Sequence, residues 1–172
     1  DRAVAFSGSN QALYIPALSA APPAPIASLR CGSIAIRFRF PATASGDIIP
    51  LLYFGEAHTN TIHRSLILEI GHANTASDRR LYFTIANAGF CFDTGTNLLP
   101  DTWHHYVAVV SSNSNTGYLN GQELTRRRYN LGSTPTNSSF FSSISVPELM
   151  AVAYGRYAQQ DRFLYGPATI GD

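Results

Sequence analysis

"DTWHHYVAVVSSNSNTGYLNGQEL", residues 101–124, is the stretch on which the reading of this chain turns. Two adjacent histidines follow the single tryptophan, an apolar run comes next, and an Asn-Gly pair closes the segment. On an extended chain successive side chains point to opposite sides, so His104 and His105 face apart and cannot act together on one substrate or one ion. Trp103, His105, Val107 and Val109 share one face, and His104, Tyr106, Ala108 and Val110 share the other. Both faces are largely apolar. That marks a central strand whose outer face is partly covered, with one histidine as a hydrogen-bonded core or boundary residue. Leu99-Pro100-Asp101-Thr102 makes the corner leading in, and Asn120-Gly121 is the strongest short hairpin signal. The cluster reads as framework: Asp101 with the histidines approaches a nucleophile triad, but no motif places a serine to complete it.

Period-two alternation spreads outward from this segment. In "SIAIRFRF", Ile34, Ile36, Phe38 and Phe40 fall on one face, with Ala35, Arg37 and Arg39 on the other. "SLILEI" repeats the pattern with Leu66, Leu68 and Ile70, and "RLYFTIA" does so with Leu81, Phe83 and Ile85. Pro50 inside "IIPLLYFG" predicts an edge or a bulge, because proline cannot donate to a ladder. Shorter strands are expected at 3–6, 12–16, 89–94, 150–155 and 163–170, with turns at "SGSN" and "ANAG". No helix of ten or more residues is expected. "SAAPPAPIAS", 19–28, is an extended connector, and residues 126–146 form a long polar stretch of the kind that binds something.

The 172 residues fit one domain, 1–172, long enough to bury a core without cross-links. With 13% charged residues and a net charge of +1, the chain is not a general polyanion binder, and no nucleic-acid partner is expected. No apolar stretch reaches the roughly 20 residues that span a bilayer, so no membrane insertion is expected. Starting at "DRAVAFSGSN", without methionine or signal peptide, the chain reads as a mature or excised piece. Cys31 and Cys91 either pair, for roughly 4 kcal/mol in the chain-entropy model, or stand as two small buried thiols. "NSS" at Asn137 is an N-glycosylation acceptor.

"LLPDTWHHYVAVVSSNSNTGYLNGQEL" resembles the signature of laminin-G-like domains of the concanavalin A-like lectin and glucanase superfamily. "AVAFSGSNQALYIP" looks like the family's opening hairpin, "GSIAIRFRFPA" like its next core strand, and "AYGRYAQQDRFLYGPATIGD" like its closing segment. The resemblance covers almost the whole chain and implies an all-β fold, a two-sheet antiparallel jelly-roll sandwich. The family's closing strand usually continues past the position of Ile170-Gly171-Asp172, which implies a last strand cut short or completed by a neighbouring chain.

Superfamily members that cleave glycans carry paired carboxylates on one strand. The related strand here is "SLILEIG", where Glu69 has no second acid two residues away, which disfavours hydrolysis. The Arg, Gln, His and Tyr constellation of the polysaccharide lyases is imitated only in part by Tyr82, His63 and Arg64. Calcium, common on laminin-G-like domains, is the one candidate cofactor. Its weak ligand candidates are Asp47 and Asp161, with Glu56 and Asp172 as further loose candidates without ligand spacing and Ser9 and Asn10 as weak substitutes for the opening hairpin's aspartate. His58, His63 and His72 read as solvated loop residues. Arg126, Arg127 and Arg128 suit sulfated glycan or acidic protein, or a solvated strand end. Tyr129, Phe140, Phe141, Tyr157 and Tyr165 are candidate sugar-stacking rings if exposed. Arg162 lies in the second rim loop, 156–165. The expected function is a non-catalytic extracellular or cell-surface recognition or adhesion module for glycan or protein. The alternative is a structural subunit of an extracellular filament, wall or matrix that assembles with neighbouring copies or domains.

Overall fold

A computed structural model describes residues 2–8, 11–16, 25–44, 48–56, 65–71, 77–85, 90–91, 96–124, 128–129, 136, 138–157, 162–165 and 167–171. Strand β1 spans Ala3–Ala5, β2 Leu13–Pro16, β3 Gly32–Arg39, β4 Ile49–Gly55, β5 Ser65–Ile70, β6 Leu81–Ile85 and β7 Phe90–Cys91. They are followed by β8 at His104–Val110, β9 at Asn115–Leu119, β10 at Gln122–Glu123 and β11 at Arg128–Tyr129. The last four are β12 at Leu149–Val152, β13 at Tyr154–Tyr157, β14 at Arg162–Tyr165 and β15 at Thr169–Gly171. Among the described residues helix is confined to 3-10 turns, at Pro25–Ser28 and Phe141–Ser143.

The strands form two principal antiparallel sheets, ordered β1-β15-β3-β8-β9-β10 and β2-β12-β4-β5-β6, with two-stranded ladders β7-β11 and β13-β14 beside them. This is the two-sheet jelly-roll sandwich that the alternation and the resemblance imply. β8 lies between β3 and β9 as a central strand, and its burial alternates as expected: His104, Tyr106, Ala108 and Val110 are buried. Those side chains meet Phe38 and Phe40 from the same sheet and Leu52, Phe54, Leu66, Leu68, Leu81 and Phe83 from the other in one hydrophobic core. Burial of this kind stabilises by about 25 cal/mol per Å² of apolar surface. It is what makes the two-residue period decide which face of each strand turns inward.

Two corners lock the register. Asp101, at φ 56°, receives the chain from Pro100; its amide donates to Phe40 O at 2.8 Å and its carboxylate accepts from Ala42 N at 3.3 Å. His104 Nε2 donates to Leu99 O at 2.8 Å; a carbonyl only accepts, so a ring proton sits on Nε2. The β9–β10 turn has positive φ at both Asn120 (51°) and Gly121 (79°), the backbone of a type I′ hairpin, and Asn120 Oδ1 accepts from His105 N at 2.8 Å.

The structure corrects several sequence expectations. β1 and β2 do not form an opening hairpin: β1 pairs with β15 and β2 with β12, so the chain crosses from one sheet to the other between them. The segment 150–155 is two strands, because Ala153 at φ 59° bends the chain between β12 and β13. Residues 163–170 are likewise divided between β14 and β15. Phe140 and Phe141 are core residues, 1% and 3% exposed, so the polar stretch 126–146 ends as a plug that packs Phe141 edge-on against Phe54 at 4.8 Å. The bridge between Cys31 and Cys91 is not made: Cys31 is an exposed free thiol ahead of β3, whereas the backbone of Cys91 pairs with Arg128 in another ladder. Pro50 does sit at a bulge, where the β4–β5 register shifts between Pro50 and Leu52, yet β4 is a central strand. β15 is paired on both sides at its three residues, by β1 and by β3.

Asn120→Ala removes the bond to His105 and forces alanine into a left-handed conformation, and it should lower the unfolding free energy by about 2 kcal/mol. Asn120→Gly loses only the bond and should cost about 1 kcal/mol. Urea unfolding of the two variants measures the difference, and equal losses would show that the turn angle carries no cost.

Candidate functional site

The same alternation that fills the core sends a second set of side chains to the outer face of the five-stranded sheet. Pairing sets Glu69 of β5 opposite Tyr82 of β6 and Pro50 of β4, and Ile67 opposite Thr84 and Tyr53. This face is covered rather than wet. Tyr53, Ile67, Ala151 and Tyr154 are buried together as a second, smaller hydrophobic cluster. The bend at Ala153 produces it by turning β13 against β4. Tyr154 then meets Tyr53 edge-on at 5.9 Å and Tyr14 at 5.5 Å, and Tyr53 Oη donates to Glu56 O at 2.9 Å.

Next to this aromatic row stands a polar one. Asp78, Arg80 and Tyr82 are spaced by two, so an extended backbone presents all three on one side. Arg80 forks onto Asp78, with Nε to Oδ1 at 2.9 Å and Nη2 to Oδ2 at 2.8 Å. Tyr82 Oη donates to Oδ2 at 2.5 Å, and the Arg80 guanidinium lies 5.5 Å from the Tyr82 ring centre. Burial alone would raise the Asp78 pKa, but the hydrogen bonds from Arg80 and Tyr82 outweigh it and hold the carboxyl down to about 2. The approach to β6 is itself fixed, by Gly71 N to Arg80 O at 2.8 Å and Leu98 N to Arg79 O at 3.0 Å.

Glu69 is the opposite case. It is 6% exposed, no hydrogen bond or ion pair reaches its carboxyl among the described residues, and burial pushes its pKa up to about 8. At neutral pH it is a protonated group that can donate one hydrogen bond. The face therefore combines aromatic rings, a neutral carboxyl donor and an ionised carboxylate whose two oxygens are already taken by Arg80 and Tyr82. Glu69, Asp78 and Tyr82 are all buried, so of these polar groups only Arg80 reaches solvent.

Of the residues singled out from sequence, Tyr157 and Arg162 are brought opposite each other on the β13–β14 ladder, and Arg128 and Tyr129 pair with Cys91 and Phe90 on β11–β7. Arg126, Arg127, Asp47, Asp161 and Asn137 lie outside the described residues, as do His58, His63 and His72. Among the described residues no three His, Cys, Asp or Glu side chains converge to hold a metal ion, and no helix is long and apolar enough to cross a membrane. The Asp78–Arg80–Tyr82 set was missed from sequence. Its signal was present in "DRRLYF", because the alternation that puts Leu81 and Phe83 inward puts Arg80 and Tyr82 outward.

A laminin-G family model of the concanavalin A-like lectin/glucanases superfamily matches residues 22–147. No curated protein sequence matches the chain. Among solved structures, the chain is similar to the Ruminococcus gnavus IT-sialidase CBM40 bound to alpha2,3-sialyllactose, with a TM-score of 0.69 at 13% identity over 99% of this chain and 88% of that one. It is similar also to the leech intramolecular trans-sialidase complexed with 2,7-anhydro-Neu5Ac, with a TM-score of 0.65 at 11% identity over 99% of this chain and 25% of that one. For domains LG4-5 of the mouse laminin alpha1 chain the TM-score is 0.55 at 16% identity, over 98% and 40% of the two chains. At these identities the likeness is one of fold.

The two carboxyls predict opposite pH dependences. Between about 4.5 and 8 the folded chain keeps a proton on Glu69 that the unfolded chain has released, so stability is greatest below about 4.5 and declines as pH rises to 8. The stability contributed by Asp78 is present above its ordinary value of 3.8 and is lost as pH falls towards 2. Glu69→Gln keeps the shape and removes the titration. It should flatten the decline towards pH 8 and raise stability there by on the order of 4 kcal/mol. Denaturant midpoints across pH measure this, and an unchanged slope would show that Glu69 is charged in the fold.

Proposed function

This chain belongs to the laminin-G family of the concanavalin A-like lectin/glucanases superfamily, and on that premise we propose that it is a non-catalytic glycan-recognition module acting outside the cell or at its surface. The observation that carries this reading is the state of the two carboxyls on the outer face of the five-stranded sheet. A glycoside hydrolase needs one carboxyl to give a proton and a second, ionised one with a free oxygen aimed at the sugar or at a water. Glu69 can give a proton, but Asp78 spends both oxygens on Arg80 and Tyr82. That leaves the acid and base pair of a hydrolase incomplete.

The ligand class is a sialylated glycan. In support, the Ruminococcus gnavus IT-sialidase CBM40 of similar fold was solved with alpha2,3- and with alpha2,6-sialyllactose. The binding surface is taken as the margin of this covered face, where Arg80 is part-exposed, extended by the β13–β14 hairpin, which packs on β4 and on which Tyr157 and Arg162 are paired. Arg128 and Tyr129 on β11, with Arg126 and Arg127 before them in the sequence, are kept as candidate contacts.

One observation favours the second reading, a structural subunit. The edge strands β1 and β2 expose Val4 (56%), Leu13 (54%) and Tyr14 (43%), and exposed apolar edges invite pairing between copies. Sedimentation at rising concentration separates the two, because a chain that stays monomeric is no filament subunit.

Titration calorimetry with alpha2,3-sialyllactose should give saturable binding with a dissociation constant on the order of 0.1–1 mM. Tyr82→Phe, which removes one of the two hydrogen bonds that Asp78 Oδ2 accepts and so loosens Arg80, should weaken it severalfold without unfolding the chain. Release of free sialic acid or lactose by the wild type, lost in Glu69→Gln, would make the protein an enzyme and end this proposal.

A further inference from the structure

Among the described residues β13 and β14 pair only with each other, so the hairpin that covers the outer face of the five-stranded sheet shares no ladder with either principal sheet. A lone two-stranded ribbon is marginal in water, and this one is kept in place by packing against β4. The described part of that packing is small. Tyr154, 5% exposed, stands edge-on to Tyr53 and Tyr14, and Ile67 and Ala151 complete the cluster. The chain enters the hairpin through Ala153, a fully buried alanine held at φ 59°. That conformation is costly for a residue with a Cβ, and a change of backbone angle there relieves it.

Glu69 takes the next outward position of β5 after Ile67. Its cross-strand partner Pro50 adjoins Leu51, whose carbonyl accepts from Ala153 N at 3.1 Å. The bend and the carboxyl therefore sit at the same end of β4. Glu69 is 6% exposed, and no hydrogen bond or ion pair reaches its carboxyl among the described residues. The ionisable groups on the surrounding strands are engaged elsewhere or are not carboxylate partners. On β6, Tyr82 lies opposite with its hydroxyl on Asp78, and Arg80 is forked onto that same carboxylate. On β4, Tyr53 Oη is given to the backbone of Glu56, itself buried at the strand's far end. The hairpin opens with Tyr154 and carries Arg156 and Arg162, set two positions and more beyond the bend. A carboxyl shut away without a partner keeps its proton, and one reached by water gives it up.

We propose that the β13–β14 hairpin is a pH-sensitive lid, which swings about Ala153 away from β4 and opens more readily as pH rises, because opening brings water to the Glu69 carboxyl. The lid goes beyond the glycan reading and does not depend on it.

Amide hydrogen exchange of the 172-residue chain reads the opening. Off the sheet the ribbon does not hold its ladder, so the amides of Tyr154–Tyr157 exchange, whereas those of β8 wait for the whole fold to open. At pH 5, after division by intrinsic rates, the β13 amides should exchange about a hundredfold or more faster than those of β8. Glu69 has its ordinary pKa of 4.5 when wet and about 8 when covered, so one proton leaves on opening and the closed state loses ground as pH climbs between these values. Protection of the β13 amides should accordingly fall by roughly thirty- to seventyfold from pH 5 to pH 7. Glu69→Gln should keep it flat over that range. β13 amides as well protected as those of β8, wild-type protection that does not change with pH, or a fall that persists in Glu69→Gln would each overturn the proposal, and the first two need no variant.

Discussion

The inward face of β8 is the constraint from which the rest of the domain is built. His104 is buried in a mainly apolar core between Phe38 and Phe40, with ring centres 5.5 Å and 6.4 Å away, and that is tolerable only because Nε2 finds Leu99 O. The bond ties the first residue of the strand to the corner that precedes it, and at the same end of the β8–β9 ladder the Asn120 turn is tied to His105. A slip of one residue would break both ties and bring Trp103 and His105 inward. With β8 fixed, β3 and β9 have one register open to them, and the opposing sheet has a defined surface to close on.

Fixing the sheets in this way makes two outer faces of different character. Over the five-stranded sheet the chain doubles back at Ala153 and covers the face, so groups that strand periodicity would leave in water are taken out of it. Glu69 and Asp78 then diverge: burial, with no partner among the described residues, makes the first neutral, while Arg80 and Tyr82 keep the second ionised. Over the six-stranded sheet nothing described doubles back, and Arg39 and His105 remain exposed.

Much of the fold was legible because it rests on local rules. Alternation in "SIAIRFRF", "SLILEI" and "RLYFTIA" named inward residues that the core contains, and Asn120-Gly121 named its turn. The errors came where distant partners decide. Nothing within "AVAFSGSNQALYIP" reveals that its two strands pair with β15 and β12 instead of with each other, because both are short and at sheet edges, where the local pattern suits either arrangement. Phe140 and Phe141 sit in a polar stretch whose composition says loop; they are core because a 3-10 turn sets Phe141 against Phe54 and Phe140 against Phe141.

By itself the sequence determined which face of each strand is apolar, where the chain turns tightly, and that Trp103, His104 and His105 brace a sheet, since each of these depends on side-chain spacing over a few residues. Only the tertiary structure decided which strands are neighbours, that the outer face carrying Glu69 is covered, and that Arg37 and Arg39 share one indole. Burial and pairing are properties of groups far apart in the chain, and the charge state of a carboxyl or the plane of a guanidinium is set by what folding brings against it.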